Sequence, residues 1–410
     1  MTEEVVLIGG ARTPFCEWLG GKRGDGEVGG RLAGVSAEQL GTIAIKGALS
    51  KTGTSPQSVD HVVMGHALQT SDQAIFGARH AGLNAGIPHE VPMLTLNRLC
   101  GSGVQSIISA AQMIKLGEAK TVVAGGMENL SQAPHVLRHM RSTFKLGRPP
   151  RAGYALEKDM EDYLFTNLLD TTCDSFMAQT SDELCRRVGV TREETDAYAA
   201  LSHTRTENSV DNGVWSNEVV DVETPNGMVT AADEDHFVRG TSEESLAGLR
   251  THFGPTSLVT AGNASGVVDG AAAVVVKSAS QAKADGDQPL ARLVDWGIVG
   301  LDPKIMAYGP VPASKLALER AGMQVEDIDL WEINEAFAGQ AVACMKELGI
   351  SQEIVNINGG AVGLGHPLAA TGTRLALTLA HTLKREGKKF GIATACIGGG
   401  QGIALIIEAI

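Results

Sequence analysis

The sequence lacks any apolar run approaching the roughly 20 residues of a membrane-spanning helix, so no insertion into a membrane is expected. It lacks an excess of basic residues. Its 34 Lys and Arg stand against 47 Asp and Glu, a formal net charge of −13, which argues against nucleic acid or an anionic membrane as the main partner. It lacks a closely spaced cysteine pair. The six cysteines, at 16, 100, 173, 185, 344 and 396, never fall as CxxC, which argues against a zinc site or a disulfide framework. A reducing, intracellular setting fits such usage. No leader is expected either: acidic Met1-Thr2-Glu3-Glu4 runs directly into the apolar strand Val5 to Ile8, and the expected location is cytoplasmic.

What the chain has in plenty is glycine, 50 residues that fall at turns rather than in low-complexity runs. The turn that organises the rest is Asn97-Arg98-Leu99-Cys100-Gly101-Ser102-Gly103. The apolar run Val91 to Leu96 enters it as a buried strand, and the residues from Val104 have helical spacing. Cys100 is therefore expected just before a helix N-terminus, where the helix dipole favours thiolate. An arbitrary cysteine is more often a buried structural residue, so the remainder of the chain must decide.

At 410 residues, two or three domains are expected. The motif Ala48-Leu49-(x3)-Gly53-(x5)-Val59-Asp60 recurs as Ala317-Leu318-(x3)-Gly322-(x5)-Ile328-Asp329, each matched pair 269 residues apart. At the same spacing Gly103 meets Gly372, and Met64-Gly65-His66-Ala67 meets Ile333-Asn334-Glu335-Ala336. This implies two similar βα units about a pseudo-twofold axis. The last strands match as well, Asp269-Gly270 onward with Gln401-Gly402 onward, but at another spacing. The first half must therefore carry an insertion. The expected division is a first half, 1–129 completed by 256–282, an inserted substrate-covering domain, 130–255, and a second half, 283–410. Helices are expected in the insertion around Asp174–Val188 and Arg192–Asn212. Alternating strands and helices make each half α/β. Ligands bind such sheets at the carboxyl ends of strands, and Cys100, Asn334, His366 and Cys396 all fall there.

His366 lies in the glycine-rich turn Gly363-Leu364-Gly365-His366-Pro367, at the repeat position of Asn97. A lone histidine is usually a surface or satisfied core residue, but this placement suits a base beside Cys100. Cys396 precedes Ile397-Gly398-Gly399-Gly400, whose bare backbone N–H groups suit an oxyanion hole. A phosphate-binding P-loop is the competing reading, and its Gly-Lys-Ser/Thr ending is missing. Asn334 in Asn334-Glu335-Ala336-Phe337 reads equally well as a helix cap.

Together these four blocks resemble the thiolase family, the acetyl-CoA acetyltransferases and 3-ketoacyl-CoA thiolases. The resemblance runs from Arg12-Thr13-Pro14-Phe15 to the last strand and includes Thr260-Ala261-Gly262-Asn263-Ala264-Ser265-Gly266. It implies a duplicated five-layer αβαβα fold with an inserted loop domain, in homodimers or homotetramers. It implies Cys100 as the acylated nucleophile, His366 as its base and Cys396 as the thiol that shuttles the α-proton. Asn334, through a water, would hold the enolate oxygen, and the backbone N–H groups of Cys100 and Gly398 would form a second oxyanion hole. Ser265, Arg239, Ala261, Phe253, Met177 and Phe337 would contact CoA or the acyl chain. CoA is then a substrate, with no metal and no other cofactor.

The chain departs from the family pattern at Leu368-Ala369-Ala370-Thr371-Gly372, where members usually read x-Gly-x-Ser-Gly after Gly-His-Pro. Phe176 stands near where the acetoacetyl-CoA-specific branch carries His, which speaks against strict short-chain specificity. The segment Arg138 to Arg151 holds five basic residues and no acidic one, and is expected to draw CoA phosphates toward the insertion. A ketoacyl synthase uses a second His where Cys396 stands, and a CoA-binding protein without activity would not need both thiols and the imidazole.

Overall fold

Runs of Val, Ile and Ala with little polar alternation form strands buried on both faces, and they do so in the computed structural model of the chain, which describes residues 3–20, 29–137 and 160–410. In the first half the elements are β1 (Val5–Arg12), α1 (Ala37–Thr52), β2 (His61–Gly65), β3 (Met93–Leu96), α2 (Ser102–Lys115) and β4 (Thr121–Glu128). The insertion supplies α3 (Met177–Val188) and α4 (Arg192–Asp211), close to the expected spans, and β5 (Val268–Ser278) then completes the first sheet. The second half runs β6 (Ala291–Gly300), α5 (Pro310–Ala321), β7 (Leu330–Ile333), α6 (Ala338–Leu348), α7 (Leu368–Glu386), β8 (Phe390–Ile397) and β9 (Gln401–Ala409).

The first sheet has the order β3-β2-β4-β5-β1 and the second β6-β9-β8-β7. They join edge to edge where Val6 and Leu7 of β1 pair with Arg292 and Ala291 of β6. Beyond β7 a parallel bridge between Trp331 and Val355 stands in the place that β3 holds in the first sheet. Helices α2 and α7 lie between the sheets, and their apolar residues form one central core with both sheets' inner faces. A second core lies under α1, and a third under α5 and α6. The result is the layered α/β arrangement expected, helix against sheet against helix pair against sheet against helix.

The repeat extends to single hydrogen bonds. Asp60 Oδ2 accepts from the N–H groups of Lys120 and Thr121 at 2.8 and 2.9 Å, tying the start of β2 to β4. Asp329 Oδ2 accepts from Lys389 and Phe390 at 2.9 Å each, tying β7 to β8. One expected equivalence shifts. Gly270 pairs with Glu128 and Gln401 pairs with Ile397, so Gly270, not Asp269, is the counterpart of Gln401. Strands buried on both faces carry no alternation to set the register, and one residue of slip goes unnoticed in their sequence.

The insertion does not stand apart from the second half. Leu184 and Cys185 of α3 and Tyr198 and Ala199 of α4 share the core under α6. Thr191 caps α4 through a capping box with Glu194, and Gly189 ends α3 in the left-handed region. The basic residues 138–151 and the centre of the Gly20–Gly34 loop lie outside the described residues. No helix among the described residues is long and apolar enough to cross a membrane.

Candidate active site

The turn after β3 holds Cys100 by a set of local bonds. Asn97 Oδ1 accepts from Leu99 N–H at 2.8 Å, and Ser102 Oγ accepts from Arg98 N–H at 2.8 Å. They hold Leu99 at φ +47°, a conformation an L side chain rarely adopts. Gly101 is required next, since a Cβ there would stand 2.4 Å from Ile397 Cδ1. Cys100 is thus held in the short 3-10 turn Leu99–Gly101 immediately before α2, as expected. Its thiol is not the thiolate that the dipole alone predicts. Burial in an apolar cavity pushes it up to about 12, against the backbone N–H groups of Gly398 and Cys100 that face the sulfur. Desolvation outweighs the helix N-terminus here.

His366 is fully packed in the turn before α7. Its Nδ1 lies 2.6 Å from Thr371 Oγ1, and that hydroxyl has one proton, directed at Pro367 O 3.3 Å away. With its proton on Pro367 O, Thr371 accepts from Nδ1–H, and this is the tautomer we assign because it also leaves Nε2 to accept from Asn334. The Nε2 lone pair is left to face Asn334 Nδ2 at 3.3 Å. Burial, and then the charge of Arg374, lowers the imidazole to about 3, so the resting ring is neutral. Asn334 is buried, its N–H held by Thr394 O at 2.8 Å, and its Oδ1 has no hydrogen-bond partner among the described residues. Cys396 lies at the end of β8. Burial, with Cys100 and Cys344 nearby, lifts its thiol well above the usual range.

Cys100, His366 and Cys396 line one cavity of about 250 Å³. Ser265, Ala261, Phe253, Met177 and Phe337 line the same cavity. A Cβ on Gly398 would meet Leu99 Cδ1 at 2.9 Å and Met177 Sδ at 3.4 Å, so its N–H stands beside the Cys100 turn. The segment 263–266 is tied to the second half at two points: Ser265 N–H donates to Ala336 O, and Gly266 O accepts from His366 N–H, at 3.0 and 2.9 Å. Arg239 is not brought to this cavity. Glu207 and Asp211, one helical turn apart on α4, take its guanidinium at 3.2 and 2.8 Å, and it lines a different, polar cleft with Arg31. Sequence reasoning had no acidic partner in view for it.

Several wall residues were not foreseen. Leu164, Phe165 and Leu168 of the insertion and Leu130 and Leu368 from the two halves make the cavity almost wholly apolar. Phe176 sits between Phe165 and Phe253, its ring tilted 42° to each, with ring centroids 4.7 and 5.6 Å away. The cluster of apolar residues at 164–168 was the available signal.

A sequence profile of the thiolase N-terminal domain matches residues 5–280, and one of the thiolase C-terminal domain matches 287–409. The chain belongs to the thiolase family. Among curated thiolase relatives, the mitochondrial 3-ketoacyl-CoA thiolase of Homo sapiens is 43% identical over 406 residues, covering 98% of each chain. The acetyl-CoA acetyltransferase of Cupriavidus necator is 42% identical over 408 residues, covering 99% of each. Among solved thiolase structures, human mitochondrial 3-ketoacyl-CoA thiolase in complex with CoA superposes with a TM-score of 0.91 at 41% identity, covering 100% of this chain and 98% of that one. The acetyl-CoA acetyltransferase of Bacillus anthracis gives 0.90 at 39% identity, covering 100% and 99%.

Proposed function

We propose that this chain cleaves 3-ketoacyl-CoA thioesters with CoA, giving acetyl-CoA and a shortened acyl-CoA, and runs the reverse Claisen condensation of acetyl-CoA. The observation that carries this reading is a buried imidazole, held between Thr371 at Nδ1 and Asn334 at Nε2, that lines one apolar cavity with two thiols. Carbon–carbon cleavage needs a soft nucleophile at C3 and a proton for the departing C2.

The Cys100 sulfur attacks C3 as its proton passes to His366 Nε2. The C2–C3 bond breaks, and its electron pair leaves as the enolate of acetyl-CoA. Cys396 gives its thiol proton to C2, and acetyl-CoA departs. The thiol of CoA then attacks the acyl group on Cys100 while its proton restores Cys396. Cys100 leaves as thiolate and recovers its proton from His366. With Cys100 at about 12 and His366 at about 3, the resting site is uncharged. Charge appears there only during the reaction, and oriented N–H groups act most strongly on such charge in a dry cavity. The N–H groups of Cys100 and Gly398 serve the oxyanion on C3. Asn334, through a water at its Oδ1, serves the enolate oxygen. The chemistry is complete with two thiols, an imidazole and amides, so no metal or redox cofactor enters it, and CoA is a substrate.

The apolar wall of Leu164, Phe165, Phe176 and Phe253 supports acyl chains longer than acetoacetyl. We assign the chain to the cytoplasm on its six free cysteines and acidic balance. The human relative is named for the mitochondrion, so fractionation of the source cells decides between the two. We also assign it a homodimeric or homotetrameric state, with β3 at the subunit contact.

The test is direct. Incubation with acetyl-CoA, quenching and peptide mass analysis should place the acetyl group on Cys100. Thiolysis measured over a series of 3-ketoacyl-CoA lengths should show activity beyond four carbons. Acetylation elsewhere, or no CoA-dependent loss of any 3-ketoacyl-CoA, would overturn the reading.

A further inference from the structure

We infer that Glu335 is a positioning residue that sets Asn334 and His366 against each other, and that helix α4 of the insertion belongs to the same brace. The inference rests on the catalytic reading above for the value of that geometry, and on separate contacts for its existence.

Glu335 is fully buried. Its carboxylate accepts four hydrogen bonds, all from neutral donors. Tyr198 Oη–H and Ser202 Oγ–H of α4 lie at 2.8 and 2.7 Å, Asn356 Nδ2–H at 2.7 Å and the Val362 backbone N–H at 2.9 Å. Stability alone does not call for a buried carboxylate, because an apolar side chain of similar size avoids its desolvation. What this one does is join three segments. Asn356, at φ +46°, clasps β7 through Ile333 N–H and Ile333 O at 2.9 Å each, one residue before Asn334. Val362 opens the turn that ends in His366. Tyr198 and Ser202 add the helix of the insertion.

The packing around the carboxylate allows little play. A Cβ on Gly360 would stand 2.3 Å from Glu335 Oε1, and one on Gly363 would stand 2.3 Å from Thr206 Oγ1 of α4. Ser202 Oγ also accepts from Gly360 N–H at 3.3 Å. The turn carrying His366 is thus held between α4 and Glu335. In the first half the equivalent position is His66, whose ring faces Glu128 at 3.7 Å and makes no such brace. The repeat therefore does not demand a carboxylate at this place. It occurs in the half that carries the imidazole. A displacement of about 1 Å in a reacting group costs roughly a hundredfold in rate, and the 3.3 Å contact between Asn334 and His366 is the distance this brace fixes.

The test uses the full chain. Glu335→Gln keeps the shape but turns an N–H2 toward donors. Expected are a fall in kcat for thiolysis of at least tenfold, a KM for CoA within twofold of wild type, and a partial return of kcat in Glu335→Asp. Ser202→Ala, which removes one donor remote from the cavity, should lower kcat about threefold to fivefold at unchanged KM. Alkylation of Cys100 by iodoacetamide at neutral pH provides a readout that needs the Cys100–His366 pair but no acyl transfer, and it should slow at least fivefold in Glu335→Gln. If Glu335→Gln does not fold, Ser202→Ala and Tyr198→Phe carry the same measurements. Alkylation and kcat within twofold of wild type in the folded variants would overturn the inference. Wild type that alkylates normally yet performs no thiolysis would instead overturn the proposed function, and the alkylation rates would still judge the brace.

Discussion

The proton on His366 is placed by one hydroxyl. Thr371 is the only side chain that meets Nδ1 among the described residues, at 2.6 Å. Removing it frees the ring to put its hydrogen on Nε2, the wrong side for accepting from Cys100. Thr371→Ala should therefore lower kcat by roughly 10- to 100-fold, less than the roughly 100- to 10,000-fold worth of a positioned base because the imidazole itself remains. Thr371→Ser should stay within a few-fold of wild type, and KM for CoA should move little in both. Steady-state thiolysis checks this. A second residue-scale effect comes from Glu128, which accepts backbone N–H groups of Ala67, Leu68 and Ala369. Burial raises it to about 7 from an ordinary 4.5 despite those bonds. A carboxyl raised on folding holds its proton longer in the native state than in the unfolded one. Stability is then lost as pH rises between about 4.5 and 7, by up to about 1.4 kcal/mol per pH unit for this one group. Glu128→Gln cannot titrate, so its melting temperature relative to wild type should climb from pH 5 to pH 8. A constant difference across that range would show that Glu128 does not titrate there.

At the scale of elements, the two central helices meet at glycines. A Cβ on Gly103 of α2 would stand 2.3 Å from Thr373 N, and one on Gly372 of α7 would stand 2.4 Å from Val104 N. Each clash is with backbone, which cannot rotate away. Gly103→Ala should destabilise the fold by at least about 3 kcal/mol, the upper range for overpacking. Gly34→Ala, with nothing within 4 Å, should be close to neutral, and denaturant titration of both separates the cases. These glycines also show what the sequence made legible. Gly103 and Gly372 stood out through their spacing, and so did the strands and aspartates around them, because the duplication writes the same constraint twice. Cys100, His366 and Cys396 were legible because each sits on or beside a glycine-rich turn, and Asn334 because it falls at the repeat position of Gly65. The walls were less so. Leu164, Phe165 and Leu368 carry no motif, and only the fold brings them over the thiols. The helix Gly77–Asn84 is preceded by turns rather than a further helical turn, with Ser71 Oγ accepting from Gln73 N–H at 3.2 Å. The ion pairs of Arg239 with Glu207 and Asp211 were not legible, because those residues lie on a helix whose direction the sequence does not disclose.

For the whole molecule, the edge strand β3 is the feature that asks for a partner. Its outer side has no strand among the described residues. Leu94 on it is 43% exposed, and Ile75 and Phe76, leading into the helix whose Ala78 N–H bonds Thr95 Oγ1, are 72% and 53% exposed. An unpaired apolar edge is a template for a second strand, and a second copy of the chain offers the same edge by twofold symmetry. Leu94→Lys with Phe76→Glu should shift the protein toward monomer in light scattering after size-exclusion chromatography. An unchanged mass would remove β3 from the interface.

The repeat has one more consequence. A half-turn that exchanges the two sheets carries Cys100 onto Ala369 and His366 onto Asn97, at the same 269-residue spacing as the aspartates. Ala369 gives its N–H to Glu128 and has nothing to offer a substrate, and Asn97 spends its side chain on Leu99 and Ala67. The architecture is doubled and the reaction is not. In the mechanism proposed above, one copy of the unit contributes the nucleophile and the other contributes the base and the second thiol, so neither half holds a complete set of reacting groups. The mirror position is a mute site, shaped like the first and emptied of its chemistry. A single chain thereby behaves as a fused pair of unlike subunits whose division of labour is fixed by covalent linkage.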